Sequence, residues 1–226
     1  KEEIEDKISE WNLIDSAGFT LPHIPDSVGY ENPILQPSLI VSVNDLLKTT
    51  INLSSYRNSA YFQYSKDIGN FSLTSGMRGN YWSFNEELIL SPRISLAYIP
   101  NWEKDVVFRS AAGIYYQPAF YKELRDFDGT INRDIKAQKS THYILGADYL
   151  FYAWGRPFKW VSEVYYKQLE NLIPYKVDNV RIRYLPYETS NGYASGIDLK
   201  INGEFVPGIE SWASISVMKT EEDIVG

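Results

Sequence analysis

Apolar and polar residues alternate along most of the chain with a period of two. In the stretch LSPRISLAY, Ile94 and Leu96 occupy one set of alternate positions, whereas Arg93 and Ser95 occupy the other. Successive side chains of a β-strand point to opposite faces of a sheet, so this pattern predicts a strand with one apolar and one polar face. Helical periodicity is almost absent, and only residues 41–48 are compatible with a short helix.

The same alternation predicts an all-β chain of about eight strands that follow one another as an antiparallel meander. The expected strands are 52–68, 71–84, two within 92–116, 140–153, 159–171, 192–204 and 211–220. Residues 1–14 could hold the end of an earlier strand.

Short and long connections alternate between the predicted strands. The short connections are 69–70, 101–105, 154–158 and 206–210. The long ones are 84–90, 117–138 and 172–190, and the segment 15–48 precedes the first strand. In a meander, successive connections lie at opposite ends of the sheet, so one end would carry tight turns and the other long loops. Outer-membrane barrels show this asymmetry, whereas a soluble Greek-key sandwich has no reason to sort its loops in this way.

Tryptophan collects near the short connections. Trp102 lies inside one of them, Trp154 and Trp160 flank another, and Trp212 follows a third. Indole rings favour the interface between membrane and water, so a girdle of a membrane barrel would place them together. The alternative is that tryptophan caps the strand ends of a soluble sheet.

Charged residues occupy the polar faces in mid-strand. They are Arg78, Arg93, Arg109, Asp148, Glu163, Lys167, Asp198 and Lys200. Facing lipid, each would cost about 2–4 kcal/mol at the midplane, less for the acids. They must face water or one another. We therefore predict an antiparallel up-and-down transmembrane β-barrel with its apolar face in lipid, and keep as the alternative a soluble β-sandwich that binds carbohydrate on a Tyr/Trp face.

Composition excludes several other classes. The chain has 226 residues, with 22 basic and 29 acidic side chains, and no cluster of Lys and Arg that would bind nucleic acid. It has no cysteine, which excludes disulfides and thiolate metal sites. No apolar run approaches the roughly 20 residues that a membrane helix needs.

Catalytic residues are not evident, and we expect no enzymatic activity. His23 and His142 lie far apart, and no nucleophile or metalloprotease motif is present. Asp148 and Glu163 lie on the polar faces of neighbouring strands and could form a carboxylate pair. The alternative, which we favour, is an ion network in the barrel lumen that includes Lys167.

A calcium loop is partly matched by RDFDGTINRD. Asp126, Asp128 and Gly129 fit its middle, but Leu124 and Ile135 occupy its first and last ligand positions. An Asp-Gly turn explains the same residues. We predict no metal and no cofactor.

The loop 117–138 is the best candidate for contact with a ligand. Its candidate residues are Phe120, Tyr121, Arg125, Asp126 and Asp128. Aromatic and ionic groups at the mouth of a barrel suit the capture of sugar or peptide. The alternative is internal packing of the loop, and residues 181–193 present the same choice between a binding loop and a structural flap.

Several stretches resemble TonB-dependent outer-membrane receptors, and most closely the branch that carries a carboxypeptidase-regulatory-like domain before its plug. The stretches are WNLIDSAGFTLP (11–22), LSPRISLAYIPNWEKD (90–105), GIYYQPAFYKELRDFDG (113–129) and YASGIDLKINGEFVPGIESWASISVMKTEEDI (193–224). LSPRISLAY (90–98) is typical of receptor barrels generally, whereas IYYQPAFYKELRD (114–126) and the turn GEFVPGIESW (203–212) are more specific to the branch.

The resemblance implies a barrel of about 22 strands around an N-terminal plug. It also implies import of a large or scarce nutrient across the outer membrane of a Gram-negative bacterium, with energy delivered by TonB. The implied partners are outer-membrane lipid, TonB through the plug, the nutrient (a sugar, a peptide or a metal chelate) and a surface lipoprotein. We recognise neither plug nor TonB box nor closing strand, so we expect 1–226 to form a mid-to-late part of one barrel, about eight or nine strands that supply wall and extracellular loops.

Overall fold

The computed structural model describes residues 2–15, 40–126, 129–178 and 181–225. The chain divides into two compact units, Glu2–Ser54 and the remainder from Ser55 onward. In the first unit, strands β1 (Glu2–Asp15) and β2 (Ile40–Ser55) form a two-stranded sheet. In the described part of the chain, no helix combines the length and the apolar character needed to cross a membrane.

The second unit is built on one eight-stranded antiparallel sheet. Its strands are β3 (Arg57–Ile68), β4 (Phe71–Trp82), β5 (Glu87–Tyr98), β6 (Asp105–Gln117), β7 (Gln138–Ala153), β8 (Arg156–Leu172), β11 (Thr189–Val206) and β12 (Ile209–Val225). Between β8 and β11, the short strands β9 (Tyr175–Asp178) and β10 (Arg181–Tyr184) form a separate hairpin. Each strand of the main sheet pairs with the next one along the chain, so the predicted meander is confirmed.

The connections lie at two opposite ends of this sheet. At the short-turn end are residues 69–70, 99–104, 154–155 and 207–208. At the long-loop end are 83–86, 118–137 and 173–188, the last of which contains the β9–β10 hairpin. The prediction of a long connection over 84–90 is wrong, because only a four-residue turn precedes β5. Leu88 and Leu90 pair in register with Tyr81 and Gly79 of β4, so they extend the strand instead of the loop.

Two other sequence predictions are corrected in β2. Residues 41–48 are part of this strand, not of a helix. An isolated helix of that length is marginal, whereas pairing with β1 supplies partners for backbone hydrogen bonds. The predicted strand 52–68 is in fact two strands, because Tyr56 separates the end of β2 from the start of β3.

Strand register places aliphatic side chains side by side on the apolar face. Leu145 pairs with Val164, Val164 pairs with Ile197, and Ile197 pairs with Val217. These four residues, here called the aliphatic row, are between 48% and 68% exposed. Large apolar side chains side by side and uncovered by other parts of the protein mark a surface that meets an apolar environment.

Aromatic rings line the same face near the short-turn end. Phe71 stacks on Tyr98 with ring centroids 4.6 Å apart, and Trp102 meets Phe108 edge to face at 5.8 Å. A second group surrounds the buried ring of Phe158 and consists of Phe151, Trp154 and Phe205. We call these rings the aromatic belt, and its position agrees with the predicted girdle of a membrane barrel.

Trp212 does not belong to this belt. It pairs with Asn202, and the Lys200 ammonium lies 5.5 Å from the centroid of its ring. Both neighbours are on the polar face, so Trp212 also points there. The prediction placed Trp212 near the correct turn but wrongly included it in the girdle of the apolar face. Its alternation with Ala213 and Ile215 already assigns it to the polar face.

The small apolar core of the second unit lies beneath the loop 118–137. Its most buried side chains are Trp82, Ile89, Ala119, Leu124, Ile135 and Ala137. Ile215, by contrast, is 68% exposed on the apolar face of the sheet. The eight strands thus form one sheet with an uncovered apolar face, and the alternative of two facing sheets is wrong.

Candidate functional site

The loop 118–137 folds back on itself at the long-loop end of the sheet. It starts with a single turn of 3-10 helix, Tyr121–Glu123, and continues into Leu124, which is fully buried. The carbonyl of Leu124 accepts a hydrogen bond of 2.8 Å from the backbone N–H of Asn132. The loop is therefore a compact structure held by its own backbone and not an open strap.

Glu123 is a buried acid at the base of this loop. Its carboxylate accepts a 2.8 Å hydrogen bond from the backbone N–H of Phe120 and a longer one, 3.5 Å, from the side chain of Gln138. Burial raises the pKa of Glu123 above its ordinary value, and the hydrogen bond from Phe120 opposes that rise. The loop consequently holds one acid whose protonated form is favoured by folding.

Tyr121 anchors the loop to the sheet. Its hydroxyl lies 3.1 Å from the Ser55 hydroxyl, which also accepts a hydrogen bond of 3.1 Å from the indole N–H of Trp82. The rings of Tyr121 and Trp82 meet edge to face with centroids 6.1 Å apart, and the Arg57 guanidinium lies 4.2 Å from the Trp82 centroid. These contacts give Tyr121 a structural role.

Three further hydrogen bonds join the loop to the turn before β5, to the first residue of β5 and to the segment 173–188. Asn85, in the turn before β5, donates to the carbonyl of Ile135 at 2.9 Å. The backbone N–H of Ala137 donates to the Glu87 carboxylate at 3.1 Å. The Asn132 side chain donates to the carbonyl of Pro186 at 2.7 Å, which ties the loop to the segment 173–188. The long-loop end is thus one hydrogen-bonded surface.

The residues predicted to contact a ligand differ in their exposure and in their contacts. Phe120 is 61% exposed, whereas Arg125 and Asp126 are half-buried. Arg125 forms an isolated β-bridge with Ile131, and the Asp126 backbone bonds to Thr130 and Gly129 around a tight turn. Gly129 has a φ of +85° there, as an Asp-Gly turn requires.

Asp128 lies outside the described residues, so its proposed contact with a ligand, or with calcium, has no structural description. Among the residues that the structure describes, no group of three or more His, Asp or Glu side chains is arranged to hold a metal ion. Contact of the loop with a ligand stays a prediction.

A row of ions crosses the polar face in the middle of the sheet. Asp148 accepts a 2.6 Å hydrogen bond from Arg109 and lies 2.9 Å from the ammonium of Lys159. The disfavoured alternative, a carboxylate pair of Asp148 with Glu163, is not a direct cross-strand pair, because register pairs Asp148 with Val161 and Glu163 with Gly146. The favoured network exists but uses Lys159, which lies closer to the short-turn end, in place of Lys167.

Sequence reasoning missed a pocket on the polar face near the long-loop end. It is lined by Arg57 of β3, Arg78 of β4 and Arg93 of β5, together with residues of β6, and encloses about 350 Å³. The sequence placed Arg78 and Arg93 on polar faces but could not bring them together. Only the register, in which Arg78 pairs with Ser91 two residues before Arg93, does so.

The fold and the segregation of its two faces define the wall of an outer-membrane type of β-barrel. Residues 9–221 match the family model of the TonB dependent receptor-like beta-barrel. The chain therefore belongs to the TonB-dependent receptor β-barrel family, as its sequence motifs predicted. This is a family of receptors and not of enzymes, and assignment to one of its branches stays a prediction.

Two solved receptors are similar to the chain in structure. The alcaligin outer membrane receptor FauA from Bordetella pertussis is 20% identical and superposes with a TM-score of 0.52 over 76% of this chain and 31% of its own. The siderophore receptor PirA from Pseudomonas aeruginosa is 10% identical, with a TM-score of 0.49 over 78% of this chain and 39% of its own. The chain thus spans less than half the length of either receptor. No curated protein matches its sequence.

The likeness to FauA and the family match confirm the predicted fold, a partial up-and-down transmembrane barrel. They also remove the alternative of a soluble β-sandwich carbohydrate-binding module, because the eight strands follow one another in a single sheet. That residues 2–54 belong to the same barrel wall stays a prediction.

Proposed function

We propose that the full-length protein containing this chain lies in the outer membrane of a Gram-negative bacterium and imports a large or scarce nutrient with energy delivered by TonB. The chain supplies part of the barrel wall and of the extracellular loops. Family membership over residues 9–221 supports the general role. The cargo, a sugar, a peptide or a metal chelate, enters from the side of the long-loop end.

One observation carries the membrane location, and it is the contrast between the two faces of the sheet. The aliphatic row and the aromatic belt share one face, and the Arg109–Asp148–Lys159 ions share the other. Hydrocarbon accepts the first face but penalises the second, whereas a water-filled lumen accepts the second. The aromatic belt then lies at the periplasmic interface, because short turns lie on that side in bacterial barrels.

The loop 118–137 is the proposed surface for first contact with cargo. Phe120 presents most of its ring to solvent, and the half-buried Arg125 and Asp126 supply polar groups in the same loop, whose sequence also includes Asp128. Tyr121 serves this surface indirectly, by holding the loop through Ser55. A surface lipoprotein would be a natural partner at the same end of the barrel.

The test follows the intact protein in its native membrane. The full-length receptor is expected in the outer-membrane fraction, resistant to carbonate extraction, and dependent on detergent for release. Deletion of its gene is expected to abolish growth on one limiting nutrient among iron chelates, oligosaccharides and peptides. Deletion of tonB should reproduce that loss, and the restored gene should reverse it.

Two results would contradict the proposal. Recovery of the protein in the soluble fraction would remove the membrane location. Nutrient uptake that persists at full rate without TonB would leave a porin-like channel and remove the energised mechanism. Phe120→Ala then distinguishes the role of the loop from that of the barrel wall. It should weaken binding of the nutrient without reducing the amount of assembled receptor.

A further inference from the structure

The pocket beside Arg57, Arg78 and Arg93 forms where two neighbouring strands separate. Strand β5 pairs with β6 only from Tyr98–Phe108 to Arg93–Gly113, although both strands continue beyond that point. Pro92 is the next residue of β5, and proline has no N–H to donate to a ladder. The ladder between β5 and β6 ends there, and residues of both strands beyond that point line the pocket on the polar face.

Three positive charges converge on this opening. Arg78 and Arg93 lie on adjacent strands in diagonal positions, since Arg78 pairs with Ser91 and Arg93 follows two residues later. Arg57 is held nearer the loops by the face of the Trp82 ring. Like charges in diagonal positions on one face, such as Arg78 and Arg93, repel each other, and a bound anion would offset that repulsion.

No described side chain neutralises the positive charge of Arg78 or of Arg93. Arg78 donates from Nε to the Asn80 side chain at 3.2 Å, which leaves its terminal nitrogens directed elsewhere. Among the residues that the structure describes, no carboxylate forms an ion pair with Arg78 or Arg93, and none lines the pocket. Arg109, on the same polar face, shows the contrast, because Asp148 neutralises it at 2.6 Å.

We propose that this pocket binds an anionic group of the imported solute, a carboxylate or a phosphate, between Arg78 and Arg93. Guanidinium groups bind such oxygens through paired, charge-assisted hydrogen bonds. Trp82 and Tyr115 provide apolar walls for the rest of the molecule. The inference rests on the proposed uptake function and adds to it that the cargo is acidic.

The experiment measures anion binding by the full-length receptor purified in detergent. Isothermal titration calorimetry is carried out at about 10 mM salt, where screening is weak. Citrate serves as the carboxylate probe and inorganic phosphate as the phosphate probe. We expect saturable binding of at least one probe, and the stronger of the two identifies the chemistry. R78Q and R93Q should each raise the Kd about tenfold or more, because each removes a charge-assisted contact.

Two control variants separate the site from a general effect of charge. R109Q removes a positive charge from the same face at an arginine that already has a partner, and it should leave the Kd within about twofold. R78K and R93K keep the charge and lose the paired donors, so they should bind with intermediate affinity. Equal heat-modifiable migration on gels confirms that every variant is assembled.

Other results overturn the inference. Absence of binding for both probes, or an equal Kd in R78Q, R93Q and R109Q, would show that the pocket is not an anion site. Binding that appears only after an acidic segment of the same protein is removed would make that segment the occupant in place of a solute. Each of these results can occur in a receptor that still imports its nutrient, so the proposed function is judged separately by the TonB-dependent uptake.

Discussion

A charge placed on the aliphatic row provides the sharpest test of which face meets lipid. Val217 of β12 is 68% exposed and pairs with Ile197, so its side chain would lie in hydrocarbon. Ser216, the preceding residue, points to the opposite face, where it pairs with Asp198. Arginine at these two adjacent positions has the same depth in the membrane but a different environment.

The magnitude of the effect follows from the exposure of Val217. Val217→Ala removes apolar surface equal to about two methylene groups, and about two thirds of that surface faces lipid. The substitution should therefore cost about 1 kcal/mol of unfolding free energy. An arginine at the midplane of a barrel's outer face costs about 2–4 kcal/mol. Val217→Arg should therefore destabilise the barrel by about 3–5 kcal/mol in all. Ser216→Arg should change the stability by less than about 1 kcal/mol, because its charge meets water and the Asp198 carboxylate.

The assay is guanidinium unfolding of the full-length receptor in lipid vesicles, followed by heat-modifiable migration on gels and by tryptophan fluorescence. The midpoint should fall strongly for Val217→Arg, slightly for Val217→Ala, and hardly for Ser216→Arg. Equal losses for the two arginine variants, or a larger loss for Ser216→Arg, would refute the assignment of the apolar face to lipid. The same comparison in cells should show a reduced amount of assembled protein for Val217→Arg alone.

Two further predictions concern the loop and the aromatic belt. Burial raises the pKa of Glu123, so the folded loop favours the protonated acid and loses stability as pH rises from about 4.5 through the raised pKa. Glu123→Gln keeps an acceptor for the Phe120 N–H and should remove this contribution to the pH dependence of protease cleavage in the loop, whereas an unchanged pH dependence would contradict the assignment. A Cβ at Gly203 would overlap the buried ring of Phe158, so Gly203→Ala should lower stability by about 1–3 kcal/mol in guanidinium unfolding, whereas Gly79→Ala, whose Cβ would lie 3.6 Å from its nearest neighbour, should not.

Local patterning was sufficient to predict the faces of individual strands. In β11, Ile197 and Leu199 alternate with Asp198 and Lys200, and the structure places the two pairs on opposite faces. The period of two depends only on backbone geometry, so it can be read without knowledge of the partners. It also assigns Trp212 to the polar face, a conclusion that its position near a turn had obscured.

The ends of the strands were harder to predict from the sequence. Residues 84–90 suggested a loop, yet residues 87–90 pair with β4, and the polar Asn85 and Glu87 hydrogen-bond to the loop 118–137. Polar residues that serve distant partners look the same in sequence as residues that face solvent. The same ambiguity affected Tyr121, whose hydroxyl is 3.1 Å from Ser55, 66 positions away.

The sequence alone therefore determined the all-β class, the two faces, the order of the strands and, through its motifs, the receptor family. Tertiary structure decided which residues of different strands meet. Register is set by pairing between segments far apart in sequence, and a shift of one residue would exchange the faces of a strand. For this reason the partners of Asp148 and the convergence of Arg78 with Arg93 became visible only in the folded sheet.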